Sequence, residues 1–226
     1  MFYTLTKARE PSLGKSYHRA VKELNAFFGL HWVRCKPRFL IIDSRAQMDE
    51  VCDDRTPDWM VGHSLGHFIV VLALDKFGKE SAERYSKRQY EALLKHELCH
   101  LFLGRYVRSP HSLPRWISEG TCLYLAGQLE FWKRPKKFQG FLGCYRQGQN
   151  NRFLYAESGF AVEILVESFG KKRFLRFLKG LKAIKNRREL NYLFQKIYGF
   201  APAYKIFNRL MVTSVKDTKM LEALKK

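Results

Sequence analysis

Apolar residues recur at helical spacing from the start of the chain. In residues 12–28, Tyr17, Ala20, Val21, Leu24, Phe27 and Phe28 share a side and Gly29 follows, which predicts an amphipathic helix with a glycine stop. Residues 39–42 read as a short buried strand, and Ser44 is placed to cap a helix running through Met48 and Val51. Thr56-Pro57-Asp58 marks a turn. Residues 67–74 are short, β-branched and bounded by Gly66 and Asp75, so they are expected to form a strand. A helix is then expected over residues 84–103, with Gly104 closing it. Pro114 suits the start of another helix, which carries Trp116, Ile117, Leu123, Leu125 and Leu129. Residues 131–156 hold no acid and are expected to form a long loop or lid. Helical spacing returns in residues 160–169, which stop at Gly170. It continues in the Phe174, Phe177, Leu178, Leu181 and Ile184 stripe, and in residues 190–198 and 201–210. Strands come early and helices late, which predicts an α+β fold.

The helix over residues 84–103 carries the chemistry. It contains His96-Glu97-Leu98-Cys99-His100, an H-E-x-x-H pattern. At about 100° per residue, His96, Glu97 and His100 fall on one side of the helix, and Leu94, Leu98 and Leu101 fall on the other. Two imidazoles one turn apart can bind one Zn²⁺, and the carboxylate between them can take a proton from a water that the metal activates.

A length of 226 residues suits one domain, 1–226. We divide it into an N-terminal helix (1–37), a sheet with the H-E-x-x-H helix (38–105) and a helical half (106–226). With 46% hydrophobic and 15% aromatic residues, the chain has ample material for a core. Its 41 Lys+Arg against 21 Asp+Glu give a net charge of +20, which invites an acidic partner. The five cysteines are scattered and never spaced as C-x-x-C, so a disulfide framework or zinc knuckle is not expected, and Cys99 reads as a small buried residue. Residues 1–10 lack the apolar run of a signal peptide. Residues 68–74 are the longest apolar run, too short to span a membrane. These features together predict a cytoplasmic location.

A catalytic zinc takes three protein ligands and keeps one position open. A third His at the metzincin spacing is excluded, because Leu103 and Tyr106 occupy those positions. His111 and Glu119 remain as candidates. Residues 113–124 read L-P-R-W-I-S-E-G-T-C-L-Y, which resembles the L-P-x-W-x-x-E-G-x-x-x-Y element of gluzincin metallopeptidases of the peptidase MA-like group. Residues 56–62 are similar to the edge-strand region of that family, and residues 155–170 resemble its Y-A-x-x-x-x-F-V helix. Residues 190–199 are similar to its C-terminal helices. The resemblance spans about residues 38–210 and implies a zincin-like fold with one zinc per chain, held by His96, His100 and Glu119. Glu119 is also acidic within an apolar stretch, where a carboxylate needs a cation or a proton. Gly120 is expected to allow the two metal-bearing helices to approach. One departure is Leu123, which stands where the best-known gluzincins place an Asp that holds a ligand His. The imidazole then needs another acceptor, a backbone carbonyl or Glu157.

The resemblance implies a peptidase in which Glu97 is the general base and Tyr155, just ahead of a helix, supports the oxyanion. The 68–74 strand, taken as the edge strand and flanked by His63 and His67, would pair with an extended substrate that both histidines touch. Residues 131–156 and 168–188 are basic without any acid, and aromatics interleave with the first of them, which suits nucleic acid or an acidic peptide. Two rival readings stay open. One is a SprT-like, DNA-associated metalloprotease, whose third ligand is a His. The other is a non-catalytic basic module that binds nucleic acid or a membrane.

Overall fold

The computed structural model describes residues 11–108, 113–145 and 152–212. In chain order these form α1 (Pro11–Phe28), β1 (Arg38–Ile42), α2 (Arg45–Cys52), β2 (Gly62–Leu65), β3 (Phe68–Leu72), α3 (Lys87–Val107) and α4 (Arg115–Ala126). Then follow α5 (Leu154–Phe169), α6 (Lys171–Gly180), α7 (Arg187–Tyr198) and α8 (Tyr204–Val212). The architecture is α+β, with a small mixed sheet followed by helices. No helix among the described residues is long and apolar enough to cross a membrane.

The sheet has the order β1-β3-β2, with β1 parallel and β2 antiparallel to β3. This corrects the expected edge strand. Ile69 to Leu72 are fully buried on both faces, as a central strand requires, and the strand ends at Leu72 rather than residue 74. The edges are β1 and β2, and the one packed against α3 is β2, a four-residue strand of Gly62, His63, Ser64 and Leu65 that carries no apolar alternation.

α3 lies between two apolar clusters. Tyr90, Leu93 and Leu94 pack with Val61, Val71, Leu72 and Phe77 beside the sheet, and the Tyr90 hydroxyl donates to the Leu72 carbonyl at 3.1 Å. Leu98, Cys99, Phe102, Leu103 and Val107 belong to the main core, which they share with α1 and α4–α8. The helix starts at a capping box, where Ser86 accepts from the Gln89 amide while the Gln89 side chain accepts from the Ser86 amide. Gly104 does not end it. An interior glycine costs about 1 kcal/mol relative to Ala, but one further turn buries Val107, and the helix stops when Arg108 turns left-handed at φ 60°.

The expected 131–156 lid is packed down at Phe138, Phe141, Leu142 and Cys144, while Trp132, Lys133 and Arg134 stay exposed and residues 154–156 belong to α5. Phe138 and Phe141 are buried, and Phe141 meets the Trp116 ring edge-on at 5.1 Å between centroids. Glu157, buried in α5, accepts from the backbone amides of Gln139, Gly140 and Phe141 at 3.0–3.1 Å. The carbonyls of Cys144 and Tyr145 in turn accept from the Trp116 and Arg115 amides at 3.1 Å. They satisfy two of the open donors at the start of α4, where Pro114 offers no side-chain cap. The segment thus fixes the N-terminus of α4. All five cysteines are unpaired, and Cys99 is fully buried.

Candidate metal centre

α3 and α4 bring three donors to one point. His96 Nε2 and His100 Nε2 lie 3.0 Å apart, and Glu119 Oε2 lies 3.4 Å from the first and 3.6 Å from the second. A tetrahedral ion with ligand bonds of about 2.0–2.1 Å separates its ligands by about 3.3 Å. The three distances bracket that value. His96, His100 and Glu119 therefore can hold a metal ion. His111, the other candidate ligand, lies outside the described residues.

The local sequence explains the convergence. His96 and His100 are one turn apart on α3, and the fully buried Cys99 of α3 and Cys122 of α4 are both part of the core where these two helices pack. On α4, Trp116, Ile117, Thr121 and Leu123 are buried, so the helix has a fixed rotation that brings Arg115 and Glu119 to the α3 side. His100 Nδ1 lies 3.2 Å from Ser118 Oγ, which supplies the acceptor that Leu123 cannot. His96 Nδ1 is buried without a protein partner among the described residues. Glu157 does not orient either imidazole, because its carboxylate holds the 139–141 backbone.

Electrostatics tie the donors together. Burial alone would lower the basicity of His100, but the charge of Glu119 and its hydrogen bond outweigh that and raise the imidazole to about 9. Burial would conversely raise the Glu119 carboxyl, yet His100 and His96 hold it well below the usual carboxylate range. Without metal, the site is an ion pair, and an entering cation must displace the His100 proton.

Glu97 shares the motif face of α3, is 9% exposed, and points its carboxylate to the edge strand. Ser64 Oγ donates to Glu97 Oε2 at 3.5 Å, and a Cβ built on Gly62 would lie 3.2 Å from Glu97 Cγ. Gly62 and Ser64 occupy alternate positions of β2 and so share the face turned to α3. The same alternation turns His63 to the opposite face, where it is exposed, and His67 is exposed in the β2–β3 turn. Neither histidine belongs to the donor set, which is His96, His100 and Glu119.

Tyr155 lies in the first turn of α5 rather than ahead of the helix. Arg115 Nη2 donates to its hydroxyl at 3.2 Å, and Arg115 Nε lies 3.8 Å from Glu119 Oε1. Burial, assisted by the charge of Glu119, pushes the Tyr155 phenol up to about 12 against the opposing effect of Arg115. Arg115, Ser118 and Ser64 were missed in the sequence. For Arg115 the signal was present as an acid–base pair at i, i+4 on one helix.

Compared with protein families, curated proteins and solved structures, the chain matches none.

Proposed function

We propose that the chain is a zinc-dependent peptidase of gluzincin type on a single zincin-like domain, with His96, His100 and Glu119 as ligands. One observation carries this reading. Two imidazoles and a carboxylate converge at tetrahedral ligand spacing, beside a buried carboxylate on the same helix that has no place in the donor set. Two histidines and a carboxylate also suit non-haem Fe(II). The adjacent Glu97 favours hydrolysis, since hydrolysis needs a base next to the metal.

A zinc ion held there would supply a Lewis acid that acidifies water and polarises a carbonyl. Glu97 accepts the proton of the attacking water and returns it to the leaving amine. Ser64 and Gly62 hold Glu97 against β2, so base and edge strand stay in register. The outer side of β2 is unpaired among the described residues and offers its backbone to an extended substrate by strand addition. Tyr155, protonated at neutral pH and positioned by Arg115, donates to the developing oxyanion. Glu119 in the ligand set argues against the SprT-like alternative, whose third ligand is a His.

The test is cleavage of a mixed pool of unstructured peptides, followed by mass spectrometry. Wild type is expected to cut, and Glu97→Gln is expected to lose at least about a hundredfold in rate while retaining its zinc. Cleavage that survives Glu97→Gln would contradict the reading.

A further inference from the structure

A second feature lies on α6 and α7, on elements that supply no residue to the metal centre. Gly180 ends α6, and a Cβ there would sit 2.8 Å from Leu193 Cδ1, so the glycine lets this end of α6 come down on α7. Beside the contact is an open groove of about 590 Å³, lined by apolar Ala183, Ile184 and Leu193 and by Arg188, Tyr192 and Lys196. The last three follow at i, i+4 and i+8, which sets a cation, a ring and a cation in one row along α7 at about 6 Å per step. The Tyr192 side chain is 70% exposed. Lys179, Lys182, Lys185 and Arg187 on the adjoining turns are exposed as well. The ion pairs among the described residues involve none of these cations. Glu189 is the single acid in the groove, and both its oxygens are engaged, by the Lys185 amide at 2.8 Å and Asn186 Nδ2 at 2.7 Å.

We infer that this groove binds single-stranded nucleic acid, with bases stacking on Tyr192 and phosphates pairing with Arg188, Lys196 and the neighbouring lysines. Cations that track a backbone, combined with an exposed ring that accepts any base face, are the two parts such a site needs. Tyr192 is the one exposed large apolar side chain of the groove. A membrane surface would want several, inserted together. An acidic peptide would use the cations but gain little from the ring. A duplex keeps its base faces stacked and out of reach of the ring.

The experiment is fluorescence anisotropy of labelled oligothymidine and oligouridine with the full chain, at about 50 mM and about 200 mM salt. Wild type is expected to bind, and to bind more weakly in the higher salt. Tyr192→Ala is expected to lose about tenfold in affinity at an unchanged salt slope. A double Arg188→Gln, Lys196→Gln change is expected to lower the slope by about 1.4, or about 0.7 for each phosphate contact removed. A preference for the deoxy or the ribo strand supports the inference equally and identifies the sugar. Three results would overturn it: no binding to either strand, Tyr192→Ala binding as wild type does, or polyglutamate competing as well as unlabelled oligonucleotide. Circular dichroism of each variant separates lost binding from lost fold.

Discussion

Gly120 of α4 lies directly against Ser158 of α5: a Cβ built on the glycine would come within 2.4 Å of the Ser158 carbonyl oxygen. The close approach that Gly120 permits is thus between α4 and α5, not between the two helices that carry the donors. Because Glu119 is the preceding residue, the contact sets how deeply α4 sits and where its carboxylate lies. Gly120→Ala gains about 1 kcal/mol of helix propensity. It must also push apart two backbones that have no room to give, and overpacking of that kind costs about 3 kcal/mol. The expected net result is destabilisation by about 2 kcal/mol, read as a lower urea midpoint, with weakened zinc binding.

Arg115 holds the outer oxygen of Glu119 and leaves Oε2 turned to the histidines. Arg115→Met keeps much of the side-chain volume but removes that hold. Zinc affinity measured against a competing chelator is expected to fall about 10–100-fold, as it does when groups that orient metal ligands are lost. Wild-type affinity in this variant would show that Arg115 has no such role.

Tyr155 is argued to donate, and a donor must keep its proton. With the phenol pushed up to about 12, it remains neutral across neutral and mildly alkaline pH and loses its proton only above that range. Tyr155→Phe is therefore expected to lower kcat about a hundredfold. It should leave KM, zinc content and the alkaline limb of the pH–rate profile below pH about 11 unchanged. An alkaline limb that disappears in Tyr155→Phe would mean that the phenol titrates within the working range.

Much of the candidate site was legible because it rests on local spacing. His96, Glu97 and His100 needed only the period of a helix, whereas Glu119 was singled out over His111 by the resemblance of residues 113–124, with its place in an apolar run in support. Tertiary contacts were hidden. β2 is four residues of Gly, His, Ser and Leu, held by pairing with β3 rather than by any pattern of its own. Gly104 looked like a stop, but burial of Val107 carries α3 past it. The acid-free 131–156 segment looked like a lid because its anchor, Glu157, lies in the following helix. Composition spoke for charge in both basic regions, yet only the packing of α6 on α7 shows where an exposed ring stands among the cations.

Glu157 is the acceptor for a whole turn of backbone, and that turn seats Phe141 on Trp116. Glu157→Gln replaces one acceptor oxygen with a donor that would face other donors. Buried hydrogen bonds to a charged group contribute about 1.5–3 kcal/mol each, so the expected loss of stability is about 3 kcal/mol, seen as a lower Tm. Because Cys144 and Tyr145, which follow this turn, cap α4, limited proteolysis is expected to cut this segment first in the variant. An unchanged Tm would remove Glu157 from the support of the site.

The central claim is that His96, His100 and Glu119 hold one zinc ion, and elemental analysis of purified protein tests it most directly. Wild type and Glu97→Gln are expected to carry about one zinc per chain, and Glu119→Ala to carry far less. Zinc retained in Glu119→Ala, or absent from all three even after reconstitution, would contradict the account.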